Sequence, residues 1–148
     1  MRVFIDTNIF LDILCRRERF VDDALGIFDM AVDDRIDLLI SDLSIANIKY
    51  ITRKELSLDK FYELIQAFRP VFTIVPLGAE VVDKALSLKA NDFEDALQYF
   101  SAAQAGADCL ITRNIKDFGF QRWKCLTQAL SLINIIMSNP QNKPLMVT

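Results

Sequence analysis

Short apolar runs alternate with stretches of helical periodicity along most of the chain, and this alternation constrains the fold more than any other feature. The runs at residues 3–5, 38–40, 71–75 and 109–111 are almost entirely apolar, as strands are when both faces of a sheet are covered. Between them, apolar residues recur every three or four positions, which predicts helices. We therefore expect an α/β fold with three α/β/α layers around a mostly parallel sheet of four to five strands.

The chain has 148 residues, a length that suits one domain. We expect that domain to span residues 1–137, with a last edge strand at 124–126 and a final helix at 127–137, and we expect a flexible C-terminal tail at 138–148. No apolar run approaches the ~20 residues that span a bilayer, and the N-terminus has no signal-peptide pattern. These features predict a cytoplasmic protein without a membrane segment.

Composition removes several kinds of chemistry. The sequence contains no histidine, which excludes histidine-based nucleophilic catalysis and histidine metal ligands. Its three cysteines are far apart, and its four glycines are scattered. This distribution indicates neither a zinc site nor a disulfide framework nor a glycine-rich phosphate loop. The chemistry left to the chain uses carboxylates, lysine, hydroxyls, or a metal held by oxygen.

Acidic and amide side chains follow two of the predicted strands. Asp6 comes directly after the first strand, while Asn114 and Asp117 follow the strand at 109–111. Asp92 and Asp95 open the helix that leads into that same strand. The carboxyl ends of parallel strands lie together, at the end of the sheet where α/β proteins bind ligands. If the two strands are neighbours, these side chains cluster there.

Each of these residues also has a purely structural interpretation. Asp6 or Thr7 is a good N-cap for the first helix. Asp92 is a plausible N-cap as well, with Asp95 three residues later as in a capping box, and Asp117 alone would be an ordinary turn residue. Glu94 is expected on the solvent side, where it would interact with the helix dipole.

A cluster of carboxylates favours a bound cation. Like charges a few ångströms apart repel, and one of them is driven to protonate unless a cation intervenes. Mg²⁺ and Mn²⁺ prefer carboxylate and water oxygen atoms, and such an ion can activate water for attack on a phosphodiester. The pattern therefore predicts an oxygen-ligated Mg²⁺ or Mn²⁺ site.

Three motifs resemble those of the PIN domain family, in particular its small single-domain toxins of the VapC type. They are Asp6-Thr7-Asn8, Asp95-Ala96-Leu97 and the run from Leu110 to Phe118, and the similarity extends from Arg2 to about Met137. The resemblance implies a metal-dependent ribonuclease. It implies that Asp6, Asp95 and Asp117 are the catalytic metal ligands, with Asp92, Thr112 and Asn114 in support.

One position departs from the family pattern. Relatives usually carry a glutamate in the helix after the second strand, where this chain has Asn47. A neutral amide can still offer a carbonyl oxygen to a metal, so Asn47 joins the supporting residues. The lost charge leaves a catalytically weakened RNA- or protein-binding module as the alternative function. A phosphatase that uses an aspartate nucleophile is disfavoured, because no second aspartate stands two residues after Asp6.

Basic residues near the same end of the predicted sheet would contact phosphate. Arg113 and Lys116 flank the proposed metal ligands, and Arg53 follows Asn47 on its helix. Each of them is also compatible with an ordinary solvated surface. By resemblance, the partners would be RNA, a second copy of the chain in a homodimer, and an antitoxin protein.

Overall fold

A computed structural model describes residues 1–113 and a two-residue strand at 125–126. The elements of the described chain are, in order, β1 (Arg2–Ile5), α1 (Thr7–Leu14), α2 (Val21–Val32), β2 (Asp37–Ser41), α3 (Asp42–Ile51), α4 (Leu58–Phe68), β3 (Phe72–Val75), α5 (Gly78–Leu88), α6 (Phe93–Gln104), β4 (Cys109–Ile111) and β5 (Cys125–Leu126). Single 3₁₀ turns at Thr52–Lys54 and Arg69–Val71 follow α3 and α4. The element order confirms the alternation predicted from the sequence.

Capping residues set several of the helix boundaries. The hydroxyl of Ser41 accepts a hydrogen bond from the amide of Ser44 at 3.1 Å and caps α3. Ser57 caps α4 in the same way through the amide of Lys60, at 3.2 Å. α1 ends at Leu14, and Arg16 then adopts a left-handed backbone with φ of 46°. The predicted helix at 127–137 and the predicted tail lie outside the described residues.

The sheet has the strand order β3-β2-β1-β4-β5, and each of the four pairings between these described strands is parallel. β1 is therefore the central strand, with β2 on one side and β4 on the other. In the β1–β4 pairing Ile5 lies opposite Ile111. The residues that follow them, Asp6 and Thr112, therefore lie side by side at the carboxyl ends of the two strands. The condition for the predicted cluster, that these two strands are neighbours, is met. The short strand at 125–126 forms the edge next to β4, as predicted.

Alternate residues of the central strands face two different helical layers. Val3 and Ile5 pack into a core with α1, α2 and α4, to which Phe61 belongs. Phe4 points to the opposite face, where it packs with Leu110 and with Ala102 of α6. α5 packs on α6 through a smaller apolar cluster. This arrangement is the predicted three-layer α/β/α fold, and full burial of each large apolar side chain contributes roughly 1.5–3 kcal/mol.

A cluster of phenylalanine rings holds the first helical layer against the sheet. The ring centroid of Phe10 lies 5.1 Å from that of Phe28, 5.3 Å from that of Phe68 and 5.6 Å from that of Phe72. These rings belong to α1, α2, α4 and β3, so a single cluster joins elements that are far apart in the sequence. Among the described residues no helix is long and apolar enough to cross a membrane.

Candidate metal centre at the carboxyl end of the sheet

Asp6 is the first polar residue after the central strand. Its backbone is extended at the N-cap position of α1, but its side chain makes no capping hydrogen bond. The carboxylate is buried, with only 3% of the residue exposed, and its Oδ2 accepts a hydrogen bond from the Thr112 hydroxyl at 3.1 Å. The capping interpretation therefore does not account for this side chain. Thr112, predicted in support, contacts Asp6 directly.

The surroundings of Asp6 disfavour its negative charge. Burial is the main influence and raises the pKa of the carboxyl group above its ordinary value of 3.8. The hydrogen bond from Thr112 acts in the opposite direction, and the negative charge of Glu94 raises the pKa further. A carboxylate that is both buried and repelled by a second acid gains stability from a cation placed nearby.

Glu94 is the second acid at this place, although the sequence predicts its side chain on the solvent side. It lies in the first turn of α6 and is exposed. Its Oε1 accepts a hydrogen bond from Nδ2 of Asn47 at 2.6 Å and a longer one from the Thr7 hydroxyl at 3.4 Å. Glu94 therefore bends toward α1 and α3, and its role is not limited to interacting with the helix dipole from solvent.

Asp92 and Asp95 lie together at the start of α6. Oδ1 of Asp92 accepts a hydrogen bond from the backbone amide of Asp95 at 3.0 Å, so the capping interpretation of Asp92 is confirmed. The Asp95 side chain is half-buried in the same first turn. This turn lies at the carboxyl end of the sheet, because Glu94, one residue earlier, contacts Thr7. The metal-binding role of Asp95 stays a prediction.

A buried network of uncharged polar side chains lies beneath these acids. Nε2 of Gln98 donates to the hydroxyls of Thr7 at 3.1 Å and Ser44 at 2.8 Å, and its Oε1 accepts from the Ser41 hydroxyl at 2.9 Å. The hydroxyls of Thr7 and Ser44 also share a hydrogen bond of 2.9 Å. This network joins the starts of α1 and α3 to α6. No motif in the sequence singles out Gln98, although its position one turn after Glu94 places both side chains on the same face of α6.

Arg113, predicted to contact phosphate, is held by residues of the first helix. Its guanidinium lies 3.4 Å from the buried carboxylate of Asp12, donates to Oδ1 of Asn8 at 3.0 Å, and stacks over the ring of Phe20 at 4.7 Å. Arg17 pairs with the same oxygen of Asp12 at 3.3 Å. Arg113 therefore joins the chain after β4 to α1, and its contact with phosphate stays a prediction.

The remaining predicted residues are either on the surface or beyond the described chain. Arg53 is exposed, and its guanidinium stacks over the ring of Tyr50 at 3.9 Å from the ring centroid. Asn114, Lys116 and Asp117 lie outside the described residues, so their places in the site stay predictions. Within residues 1–113, no group of three acidic, cysteine or histidine side chains is close enough to hold a metal ion.

Comparison with known families gives a match over most of the chain. The profile of the PIN domain matches residues 2–116. The chain belongs to the PIN domain family. No curated protein sequence matches it.

Solved structures share this PIN fold at low sequence identity. VapBC2 from Rickettsia felis, bound to a DNA fragment from its promoter, has a chain with a TM-score of 0.70 at 18% identity, covering 86% of this chain and 99% of that chain. A chain of a toxin–antitoxin complex from Klebsiella pneumoniae has a TM-score of 0.58 at 21% identity, covering 79% of this chain and 90% of that chain. A chain of FitAB bound to the IR36 DNA fragment has a TM-score of 0.59 at 16% identity, covering 84% of this chain and 93% of that chain. The similarity establishes that the fold is PIN-like.

PIN domains generally use divalent metal ions, and the donors found here fit such an ion. The described site offers the buried Asp6 carboxylate and the Glu94 carboxylate, both of which are oxygen ligands, and the Asn47 amide, whose nitrogen donates to Glu94. Oxygen donors of this kind suit Mg²⁺ or Mn²⁺ rather than a soft metal. The repulsion between Glu94 and Asp6 also supports a cation between or beside them.

Proposed function

We propose that this PIN domain protein is a Mg²⁺- or Mn²⁺-dependent endoribonuclease that hydrolyses RNA phosphodiesters. The observation that carries the proposal is the buried Asp6 carboxylate, which lies at the carboxyl end of the central strand and is repelled by Glu94. Family membership supports the nuclease class. The absence of histidine from the sequence agrees with chemistry that depends on a metal and water.

In this proposal, Asp6, Asp95 and Asp117 hold the metal, and Asn47 and Asn114 support it directly or through water. A bound divalent cation would supply an activated water and stabilise the negative charge that develops on the phosphate. Thr112 fixes the orientation of Asp6 through its hydrogen bond of 3.1 Å. Asp92 holds the first turn of α6 in place by capping it, which in turn positions Asp95.

Basic residues near the site would contact the phosphates of the RNA. Arg53 is exposed and close in sequence to Asn47, so it is able to pair with a phosphate at little desolvation cost. Lys116 and Arg113 would act from the segment that follows β4. Of these, Arg113 would do so only with the part of its guanidinium that is not engaged with Asp12.

We further propose that the protein is the toxin of a toxin–antitoxin pair. The support is its likeness to chains of VapBC2, of FitAB and of the Klebsiella pneumoniae toxin–antitoxin complex. An antitoxin protein and a second copy of the chain are the expected protein partners. Both partners and the RNA would be met in the cytoplasm, which the sequence predicts as the location.

A second function is favoured by one specific observation. Asn47 is neutral where relatives usually carry a glutamate, and a weaker metal site would leave an RNA- or protein-binding module of the same fold. The two functions differ in whether bound RNA is cut.

The test compares purified wild-type protein with Asp6→Asn on a mixed-sequence RNA, with Mn²⁺ and with EDTA. We expect cleavage by the wild type with Mn²⁺ only, and no cleavage by Asp6→Asn. RNA binding by both proteins without cleavage by either would favour the binding module and overturn the nuclease.

A further inference from the structure

The carboxylate of Glu94 lies beside Asn47. At the position of Asn47 the site lacks the negative charge that relatives usually carry. We propose that Glu94 supplies to the metal site the negative charge that Asn47 does not, so that an acidic ligand has moved from α3 to the first turn of α6. This inference rests on the proposed metal site of the nuclease. Glu94 lies outside the three motifs that resemble those of the family.

Two contacts hold the Glu94 carboxylate at this place. Its Oε1 lies 2.6 Å from Nδ2 of Asn47 and 3.4 Å from the hydroxyl of Thr7. Thr7 is the immediate neighbour of Asp6 in the chain, and Asn47 lies half-buried on α3. Because Asn47 donates to Glu94 with its nitrogen, it acts here as a positioning residue for the carboxylate.

An interaction with the helix dipole alone does not explain this conformation. A glutamate in the first turn of a helix gains that stabilisation while its side chain extends into solvent. Glu94 is exposed and has that freedom, yet its carboxylate accepts hydrogen bonds from Asn47 and from Thr7, the residue next to Asp6. Two carboxylates brought together in this way repel unless a cation compensates them. The arrangement is therefore suited to a bound cation more than to the metal-free protein.

The buried network supports the same geometry from below. Gln98 lies one helical turn after Glu94 and donates to Thr7, which also contacts Glu94. A hydrogen-bonded frame of this kind limits how far α6 can move away from α1 and α3. Glu94 is thereby held within reach of the Asp6 neighbourhood by groups that carry no charge of their own.

The test measures Mn²⁺ binding to the full chain by calorimetry and by the loss of the free-ion electron paramagnetic resonance signal. We expect Glu94→Gln to weaken Mn²⁺ binding by at least about tenfold, the scale of losses at residues that tune metal sites. The double variant Asn47→Glu with Glu94→Gln exchanges the two side-chain types and keeps one amide beside one carboxylate. We expect it to recover most of the lost affinity.

The matched control is Glu63→Gln, which removes the same charge from an exposed glutamate on α4 that pairs only with Lys60 among its described partners. We expect it to bind Mn²⁺ as the wild type does. Thermal unfolding without metal, measured on the same proteins, reports any loss of helix-dipole stabilisation separately.

The outcomes separate this inference from the proposed function. Equal Mn²⁺ affinity of Glu94→Gln and wild type would overturn the inference, even if Glu94→Gln is less stable without metal, and would leave the nuclease standing. No recovery in the double variant would also overturn it. If Glu94→Gln loses Mn²⁺ binding and the double variant recovers it, but the wild type does not cut RNA, the inference is upheld and the nuclease is overturned. A wild type that binds no Mn²⁺ would overturn both.

Discussion

Thr112 donates a hydrogen bond to the buried carboxylate of Asp6 across two neighbouring parallel strands, with 3.1 Å between Oγ1 and Oδ2. The contact follows from the register of the sheet, because Ile5 lies opposite Ile111 and the next residue of each strand leaves the sheet at the same level. The position of the central acid is therefore fixed by backbone pairing before any ligand binds.

Replacement of Asp6 by asparagine should stabilise the metal-free protein at neutral pH. Burial raises the pKa of Asp6, so the unfolded chain ionises first as the pH rises through 3.8, and the folded protein loses stability until its own higher pKa is passed. Above that pKa the whole cost of the buried charge is present, and asparagine removes it. We expect a higher melting temperature for Asp6→Asn at pH 7 and no such advantage below the unfolded pKa.

With bound metal, the wild type should be more stable than Asp6→Asn. At a hundredfold excess over its dissociation constant, Mn²⁺ stabilises a protein that binds it by about 2.7 kcal/mol. We expect that increment in the wild type and its loss in Asp6→Asn. If Asp6→Asn is less stable than the wild type at pH 7 without metal, the assignment of Asp6 as a disfavoured charge is wrong.

Removal of the Gln98 side-chain amide should destabilise the fold. Gln98→Leu keeps the bulk of the side chain but deprives Thr7, Ser44 and Ser41 of their common partner. Buried polar groups that lose a partner cost about 1–3 kcal/mol each, and the hydroxyls offset part of this by bonding one another. We expect a loss of about 2–3 kcal/mol in urea unfolding.

The control for this measurement is Gln66→Leu, at an exposed position of α4, which should change the free energy of unfolding by under about 0.5 kcal/mol. Equal effects of the two substitutions would show that the network contributes nothing of its own.

Introduction of a glutamate at position 47 should have opposite effects with and without metal. Asn47→Glu places a second carboxylate where Nδ2 now lies 2.6 Å from Glu94. Without metal we expect repulsion and a lower melting temperature, while the affinity for Mn²⁺ rises. Calorimetry and thermal unfolding measure the two effects. Gln66→Glu on α4 serves as the control, and an unchanged Mn²⁺ affinity in Asn47→Glu would place this position away from the metal.

Cys15 should react slowly with alkylating reagents. Burial, followed by the hydrogen bond and charge of Glu55, raises the pKa of its thiol to about 11, which leaves about 0.1% thiolate at pH 8. We expect iodoacetamide to label Cys15 far more slowly than glutathione, as followed by peptide mass spectrometry, and Glu55→Gln to speed labelling. A rate like that of glutathione would contradict the raised pKa.

Short-range sequence patterns predict the strands and helices of the molecule, but they do not predict every residue of its site. The apolar run before Asp6 forms the predicted strand, and the serines at 41 and 57 cap helices as short-range rules describe. Gln98 could not be found in this way, because its partners Ser41 and Thr7 lie 57 and 91 residues away in the chain. Their approach depends on the packing of α6 on the sheet.

The same reason explains why the sequence predicts Glu94 on the solvent side. Its first-turn position suggests a helix-dipole interaction, and only the tertiary contact with Asn47 brings it to the site. Asp117 and Asn114 follow β4 in the sequence but lie outside the described residues, so their contribution stays a prediction.

Cleavage of RNA in water enriched in ¹⁸O shows whether water is the nucleophile, with the terminal phosphates of early products analysed by mass spectrometry. We predict one ¹⁸O atom for each bond cut, since water is the proposed nucleophile. Cleavage should require Mn²⁺, stop with EDTA and be absent in Asp6→Asn. Early products with 2′,3′-cyclic phosphate ends, or cleavage that persists in EDTA or in Asp6→Asn, would overturn metal-dependent hydrolysis at Asp6.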